Sequence, residues 1–373
     1  MAVQVGDGEG TAAGMADERG DTGGTGPVTL QDLARELGLH VSTVSRVLNG
    51  STGAGARAAA PQTAQRIREL ADRLGYRPDP YAASLRTRRS NLLGVLFPRL
   101  SEIVVATIYE GIEEEAAEHG LSVFVTNTRD DPDTQRQRIA MVLGRRVDGV
   151  VIGDAHLDGA ALDHPMLRGT PYVLVNRHAG AEHPAVTCDD LLGGRLAAER
   201  LLALGHRDVA VVAGESFAST GADRARGFAD RYREAGLPLP AHRVRPCRFD
   251  TAGGREAATA LLGGPGPRPT ALFAVNDLAA IGAMGAARDL GLRLGEDLAL
   301  VGYNDTPVAA ELPVALTTVR SPMAEQGRVA VRELLRTISG GRAESRLLRP
   351  ELVVRASCGG PVGPSLASAP ARS

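Results

Sequence analysis

Residues 28–50, VTLQDLARELGLHVSTVSRVLNG, constrain the chain more tightly than any other stretch. Leu30, Leu33, Ala34 and Leu37 recur at i, i+3, i+4 and i+7, the spacing of one apolar stripe on a helix. Thr29 stands where an N-cap hydroxyl belongs, and Asp32 three residues on can close a capping box. Gly38 ends this helix and turns the chain, because it takes a left-handed backbone without a Cβ clash. In the second short helix Val41, Val44, Val47 and Leu48 can face inward, which leaves Ser42, Thr43, Ser45 and Arg46 outside. That layout fits a helix-turn-helix, whose second helix must offer hydrogen-bonding side chains to base edges. A helical hairpin used only for packing fits the same pattern.

Residues 61–78, PQTAQRIRELADRLGYRP, read as a third amphipathic helix with Ile67, Leu70, Ala71 and Leu74 inside and Gly75 as its stop. Residues 28–78 are therefore expected as one three-helix domain. The next segment, 79–91 (DPYAASLRTRRSN), has Asp79 as an N-cap, Pro80 at the first helical position, and little apolar surface. Alone it is a marginal helix; against a polyanion it can fold. Residues 28–91 carry a formal charge of +5 within a chain of net charge −2. A basic head on an acidic body suits a protein whose head alone meets phosphate. A small Arg-rich domain that is merely soluble is the plainer alternative.

From residue 92 onward short apolar runs alternate with amphipathic helices. Strands are expected at 92–97, 121–126, 147–152, 172–175, 209–213, 271–275 and 298–303. Helices are expected near 103–119, 132–145, 190–204, 222–235, 277–290 and 322–339. The alternation predicts an α/β body of parallel sheets built from crossover units. There are too many strands for one small sheet, so two lobes with a cleft between them are expected. Ligands of such sheets sit at the carboxyl ends of strands. That rule selects Arg99, Ser101 and Glu102, then Asn176 and Arg177, Arg224, Phe249, Asn276 with Asp277, and Asn304 with Asp305. Asn, Asp and Arg bond hydroxyl groups in pairs, and an aromatic ring can cover the apolar face of a sugar. Each has a plainer reading: Asn276 as a helix cap, Phe249 as core, Arg224 as half of a surface ion pair.

In combination, the motifs VTLQDLA, STVSRVLNG, LGYRPD and SLRTRRS resemble those of the LacI/GalR family of bacterial transcription regulators, over roughly residues 28 to 357. The resemblance implies an N-terminal helix-turn-helix domain (28–78), a hinge helix and linker (79–91), and a two-lobed periplasmic-binding-protein-like core (92–357). The core would cross between lobes near 189, 318 and 340. The implied function is sequence-specific DNA binding by a transcriptional regulator, a repressor. A homodimer would read a pseudo-palindromic double-stranded DNA operator under the control of a small-molecule effector, a sugar or sugar derivative, in the cleft. By resemblance Val41, Ser42 and Arg46 take base-reading positions, and Thr43, Ser45 and Asn49 help hold the DNA backbone. Ala82 and Leu85 match residues pressed into the minor groove, where an apolar wedge kinks the site. Thr29 completes the DNA-binding set. Asn176, Arg224, Phe249, Asn276 and Asn304 take effector positions, to which the strand-end rule adds Arg99 and Glu102.

Three departures from the family pattern stand out. His40 replaces the usual Ser cap, so the second helix is expected to start less firmly. The Gly/Ala-rich stretch STGAGARAAA (51–60) lengthens the link to the third helix. EIVV at 102–105 replaces an Asn-Pro-aromatic run, which removes an aromatic platform and adds a carboxylate. A more polar or charged effector therefore competes with a sugar.

Other classes find little footing. All 42 basic residues are Arg, so no Walker A lysine exists, and neither GxSxG nor HExxH occurs. No enzymatic activity, cofactor or metal is expected. Cys188, Cys247 and Cys358 form no metal spacing or disulfide framework. No apolar run can span a bilayer, and the Gly-rich, acidic residues 1–27 have no signal-peptide core. A cytoplasmic protein without membrane association is expected, with disordered tails at 1–27 and 358–373. The main alternative is a solute-binding protein with the same two lobes and no working DNA readout.

Overall fold

The computed structural model describes residues 28–49, 59–77, 89–264 and 266–359. Its internal contacts divide the chain between Thr87 and Arg88 into two units. The first contains α1 (Leu30–Leu37), α2 (Val41–Asn49) and α3 (Pro61–Arg73). Leu33, Ala34, Val44, Ile67, Leu70 and Ala71 form its buried core, matching the apolar spacing of the sequence. The capping box closes: the Thr29 N–H donates to the Asp32 carboxylate at 3.0 Å, and the Asp32 N–H donates back to the Thr29 hydroxyl. Gly38 turns the chain at φ 64°. The third helix ends at Arg73 with Leu74 as its cap, and Gly75 takes φ 66° at the expected stop. The loop at 51–58, the hinge residues Ala82 and Leu85, and the side chain of Asn49 lie outside the described residues.

His40 corrects an expectation. Its Nδ1 lies 3.3 Å from the Ser42 N–H and 2.8 Å from the Ser42 hydroxyl. With Nδ1 unprotonated, the imidazole can accept from one of the orphan donors of the helix start, a contact it shares with the nearer Ser42 hydroxyl.

The second unit holds two six-stranded sheets. The first is built from β1 (Leu92–Phe97), β2 (Ser122–Asn127), β3 (Gly149–Ile152), β4 (Tyr172–Val175), β5 (Ala185–Cys188) and β11 (Arg346–Leu348). Their order is β11-β5-β4-β3-β1-β2, all parallel. The second is built from β6 (Val209–Ala213), β7 (Val244–Pro246), β8 (Ala271–Ala274), β9 (Ala299–Asn304), β10 (Thr317–Arg320) and β12 (Glu351–Val353). Their order is β12-β10-β9-β8-β6-β7, and only β12 is antiparallel. Central strands such as GVVI and YVLV are apolar throughout because helices cover both faces.

Three crossings join the lobes. The chain leaves the first sheet after β5 at Asp189, as expected, and returns at Ser321–Pro322, close to the expected 318. The third crossing lies at 349–350 rather than 340. Arg346–Leu348, a triplet too short to show strand alternation, first adds an edge strand to the first sheet. The expected tail also starts later: Cys358 is buried in a final turn, Ala356–Cys358, against the second lobe.

The body helices are α4 (Ile103–Glu118), α5 (Pro132–Leu143), α6 (Asp190–Ala203), α7 (Ser219–Glu234), α8 (Thr251–Gly263), α9 (Asp277–Asp289), α10 (Pro307–Glu311) and α11 (Met323–Ile338). Three helix pairs pack through facing glycines: Gly111 with Gly327, Gly194 with Gly227, and Gly254 with Gly282. A Cβ on any of the six would overlap backbone of the opposing helix. Gly327→Ala is therefore expected to destabilise the body by about 1–3 kcal/mol through overpacking. Gly263→Ala, with nothing within 4 Å of the added carbon, should be neutral or stabilise by up to about 1 kcal/mol. Urea unfolding of the two variants checks the contrast.

Candidate functional site

The strand orders reverse at β1/β3 in one lobe and β6/β8 in the other, and at such switch points loops diverge and leave a crevice. A narrow space of about 40 Å³ lies there, between the lobes. The first lobe contributes Glu102, Asn176 and Arg177; the second contributes Arg224, Phe249, Asn276 and Asn304. Six of the seven effector residues selected from sequence thus line one cleft. Arg99 does not: it is exposed in the turn after Pro98, while Glu102, at the start of α4, faces the cleft.

Arg224 is not the surface ion pair of the plainer reading. It is 3% exposed, and its Nε donates to Asp190 at 2.8 Å. Nη1 donates to the Val275 carbonyl at 2.9 Å, and the guanidinium lies 3.8 Å from the centre of the Tyr303 ring. Burial pushes the Asp190 carboxyl up, and the charge and hydrogen bond of Arg224 offset it. Arg177, 4% exposed, grips Asp130 with two bonds of 2.6 and 3.1 Å. Both cations of the cleft wall therefore have a partner within the protein.

Asn276 does what its plainer reading says. Its Oδ1 accepts from the Ala279 N–H at 2.7 Å, capping α9, while Nδ2 donates to the Phe249 carbonyl at 2.9 Å. The amide thereby fixes the loop that carries Phe249. The Phe249 ring rests on Gly214 and Gly221, where any side chain would collide with it, and stays half-buried at the cleft. Asp277 accepts from the Thr306 N–H, the Thr306 hydroxyl and the Thr318 hydroxyl, which steadies the loop after β9. Burial pushes its carboxyl up to about 6.

Asn176 and Asn304 turn away from their strands at φ 67° and 107°, conformations that cost energy for a residue with a Cβ. Asn304 is 2% exposed and its Nδ2 finds no hydrogen-bond partner among the described residues.

Residues the sequence did not single out bridge the lobes beside the cleft. The Leu157 N–H donates to the Phe217 carbonyl at 2.9 Å. His156 stacks on Phe217 with centroids 4.3 Å apart. The His178 N–H donates to the Ser219 hydroxyl at 2.9 Å, and His178 Nε2 lies 2.8 Å from Asp223. These contacts join loops distant in sequence, so no local pattern announces them.

In the head, Ser42 and Arg46 are exposed one turn apart on α2, and Arg46 Nε donates to the Ser42 carbonyl at 3.2 Å. Thr43 and Ser45 are half-buried. Val41 packs partly against the head core. Thr29 is committed to the cap of α1.

A helix-turn-helix unit and a two-lobed body with a polar interlobe cleft together define a class: DNA-binding regulators built on a periplasmic-binding-protein-like core. Comparison with known proteins agrees. Residues 29–79 match the model of bacterial regulatory proteins of the lacI family, and residues 198–358 match a periplasmic binding protein-like domain. The chain belongs to the LacI family of bacterial transcriptional regulators. It is 31% identical to the HTH-type transcriptional regulator DegA of Bacillus subtilis, over 88% of this chain and 97% of that protein. It is 30% identical to the HTH-type transcriptional repressor PurR of Haemophilus influenzae, over 88% of this chain and 98% of that one. A lac repressor dimer bound to operator and the anti-inducer ONPF matches with a TM-score of 0.81 at 27% identity, over 89% of this chain and 99% of that chain. The complex of the regulator CelR with cellobiose matches with a TM-score of 0.68 at 30% identity, over 88% of this chain and 99% of that chain. These relatives are regulators rather than enzymes. No helix among the described residues is long and apolar enough to cross a membrane.

The interlobe bond of His178 has a pH signature. The hydrogen bond to Asp223 raises the His178 pKa above its ordinary 6.5, against burial; Asp190 adds to the rise and Arg226 opposes it. A raised folded-state pKa contributes stability that is fully present below 6.5 and lost as pH climbs through the raised value. The melting temperature of wild type should therefore exceed that of His178→Gln most near pH 6, with the gap narrowing toward pH 9. A gap independent of pH would contradict the assignment.

Proposed function

We propose that this regulator is a repressor that binds a specific DNA operator as a symmetric homodimer and is controlled by a small polar molecule, a sugar or sugar-like compound, held in the interlobe cleft. The observation that carries the reading is the convergence of Glu102, Asn176, Arg224, Phe249, Asn276 and Asn304 on one narrow cleft. A partly exposed ring beside amide donors is the equipment for a hydroxylated ligand with an apolar face. The relatives support it by name: one is described as a dimer on its operator, another as a cellobiose complex. One helix-turn-helix buries too little surface for tight specific binding, which favours two heads on a two-fold axis. Residues 28–78 then form the reading head, 79–91 the hinge and 92–357 the responding body, acting in the cytoplasm where DNA is met.

In this reading Ser42 and Arg46, on the outward face of the second helix, meet base edges, with Val41 beside them and Thr29, Thr43, Ser45 and Asn49 holding the DNA backbone. A ligand can shift the equilibrium only by preferring one arrangement of the lobes. Selection of random duplexes by the purified protein, with and without a sugar pool, tests the whole. A two-fold symmetric consensus that changes with the pool is the expected result. Arg46→Ala should then cost about 1–3 kcal/mol at the selected site and relax base choice at one position. An equal loss on random DNA would remove the base-reading role.

A further inference from the structure

The charges on the cleft wall do not balance. Arg177 is neutralised by Asp130, through bonds of 2.6 and 3.1 Å, and Arg224 by Asp190 at 2.8 Å. The Glu102 carboxylate, in the cleft lining, takes part in no direct hydrogen bond or ion pair among the described residues. Arg99, the nearest cation on its own segment, is exposed and outside the lining. At longer range the charges of Arg177 and Arg99 favour the ionised form of Glu102, while those of Asp130 and Glu215 oppose it. Across the cleft the second lobe presents the opposite need: the buried Asn304 Nδ2 is a donor without an acceptor. A ligand that satisfies both must offer a cation or donor to the first lobe and an oxygen acceptor to the second.

From this geometry we infer that the effector carries a protonated amine that pairs with Glu102, on a hydroxyl- or carbonyl-bearing body that accepts from Asn304 and lies against Phe249. The inference rests on the effector reading of the cleft and narrows it to amino sugars and compounds of like chemistry. Carboxylates and phosphates are disfavoured, because an anion would meet the Glu102 carboxylate while both arginines already hold counter-charges; the buried Arg177 Nε, a donor without an acceptor, asks for a neutral oxygen of the same ligand. Burial pushes the Glu102 carboxyl up and the charges of Arg177 and Arg99 oppose this only in part; an ammonium group adds the compensation that is missing. A ligand joined to Glu102 on one lobe and Asn304 on the other also holds the lobes together, which couples its charge to their arrangement.

The test uses the full chain and a small-molecule extract of bacterial cells, freed of metal ions with a chelator. Ion exchange at pH 7 splits it into cationic, neutral and anionic fractions. Thermal melting is recorded with each fraction for wild type and Glu102→Gln, a variant that breaks no contact of the fold. The expected result is a raised melting temperature with the cationic fraction. Glu102→Gln should need at least tenfold more of that fraction for the same shift. A shift produced only by the neutral or anionic fraction overturns the amine and leaves the cleft reading standing. So does a cationic shift that Glu102→Gln retains in full. No shift from any fraction overturns the effector reading itself.

Discussion

The buried pair of Arg224 and Asp190 organises the body. Asp190 is the first residue of α6, directly after the chain crosses between lobes, and Arg224 lies on α7. Through the Val275 carbonyl and the Tyr303 ring the guanidinium also fastens the ends of β8 and β9. Each charge tolerates burial only because the other is present; losing one partner of such a pair typically costs about 3–5 kcal/mol. A crossing strand, two helices and two strand ends are thereby fixed around the cleft. Asn276 extends the same framework to Phe249, and Asp277 extends it to the loop after Asn304.

Around that centre the lobes repeat one packing device. Paired glycines let α4 meet α11, α6 meet α7, and α8 meet α9 at backbone distance. Such contacts leave little room for gradual adjustment, so a ligand is expected to move whole lobes rather than bend helices within them. In the proposed function, the three crossings would serve as the hinge for such motion. The contacts that hold the present arrangement are those of His156, Leu157 and His178 with Phe217, Ser219 and Asp223.

Much of this was legible in the sequence because its signals are local. The stripe of Leu30, Leu33 and Ala34, the Thr29–Asp32 box and Gly38 define the head within a dozen residues. Near-continuous apolar runs mark the central strands. The strand-end rule selected the cleft because topology alone brings those positions together. Illegible parts depend on partners far along the chain. Short edge strands such as Arg346–Leu348 have no pattern of their own and exist only against a neighbour. The burial of Arg224 hinges on Asp190, and the bridge from His178 hinges on Asp223. His40 misled for a different reason: residue type argued against a cap, yet its ring nitrogen reaches the Ser42 N–H.

The central claim is that the relative arrangement of the lobes controls the DNA-binding head. The most direct measurement locks the lobes together. Leu157 and Phe217, whose backbones meet through a 2.9 Å hydrogen bond across the interface, can be replaced by cysteines and joined as a disulfide. Operator affinity is then compared in the oxidised and reduced states. The account predicts at least a tenfold change on oxidation, equivalent to about 1.4 kcal/mol, together with loss of any response to small molecules. Equal affinity in both states, with the response intact, would contradict it.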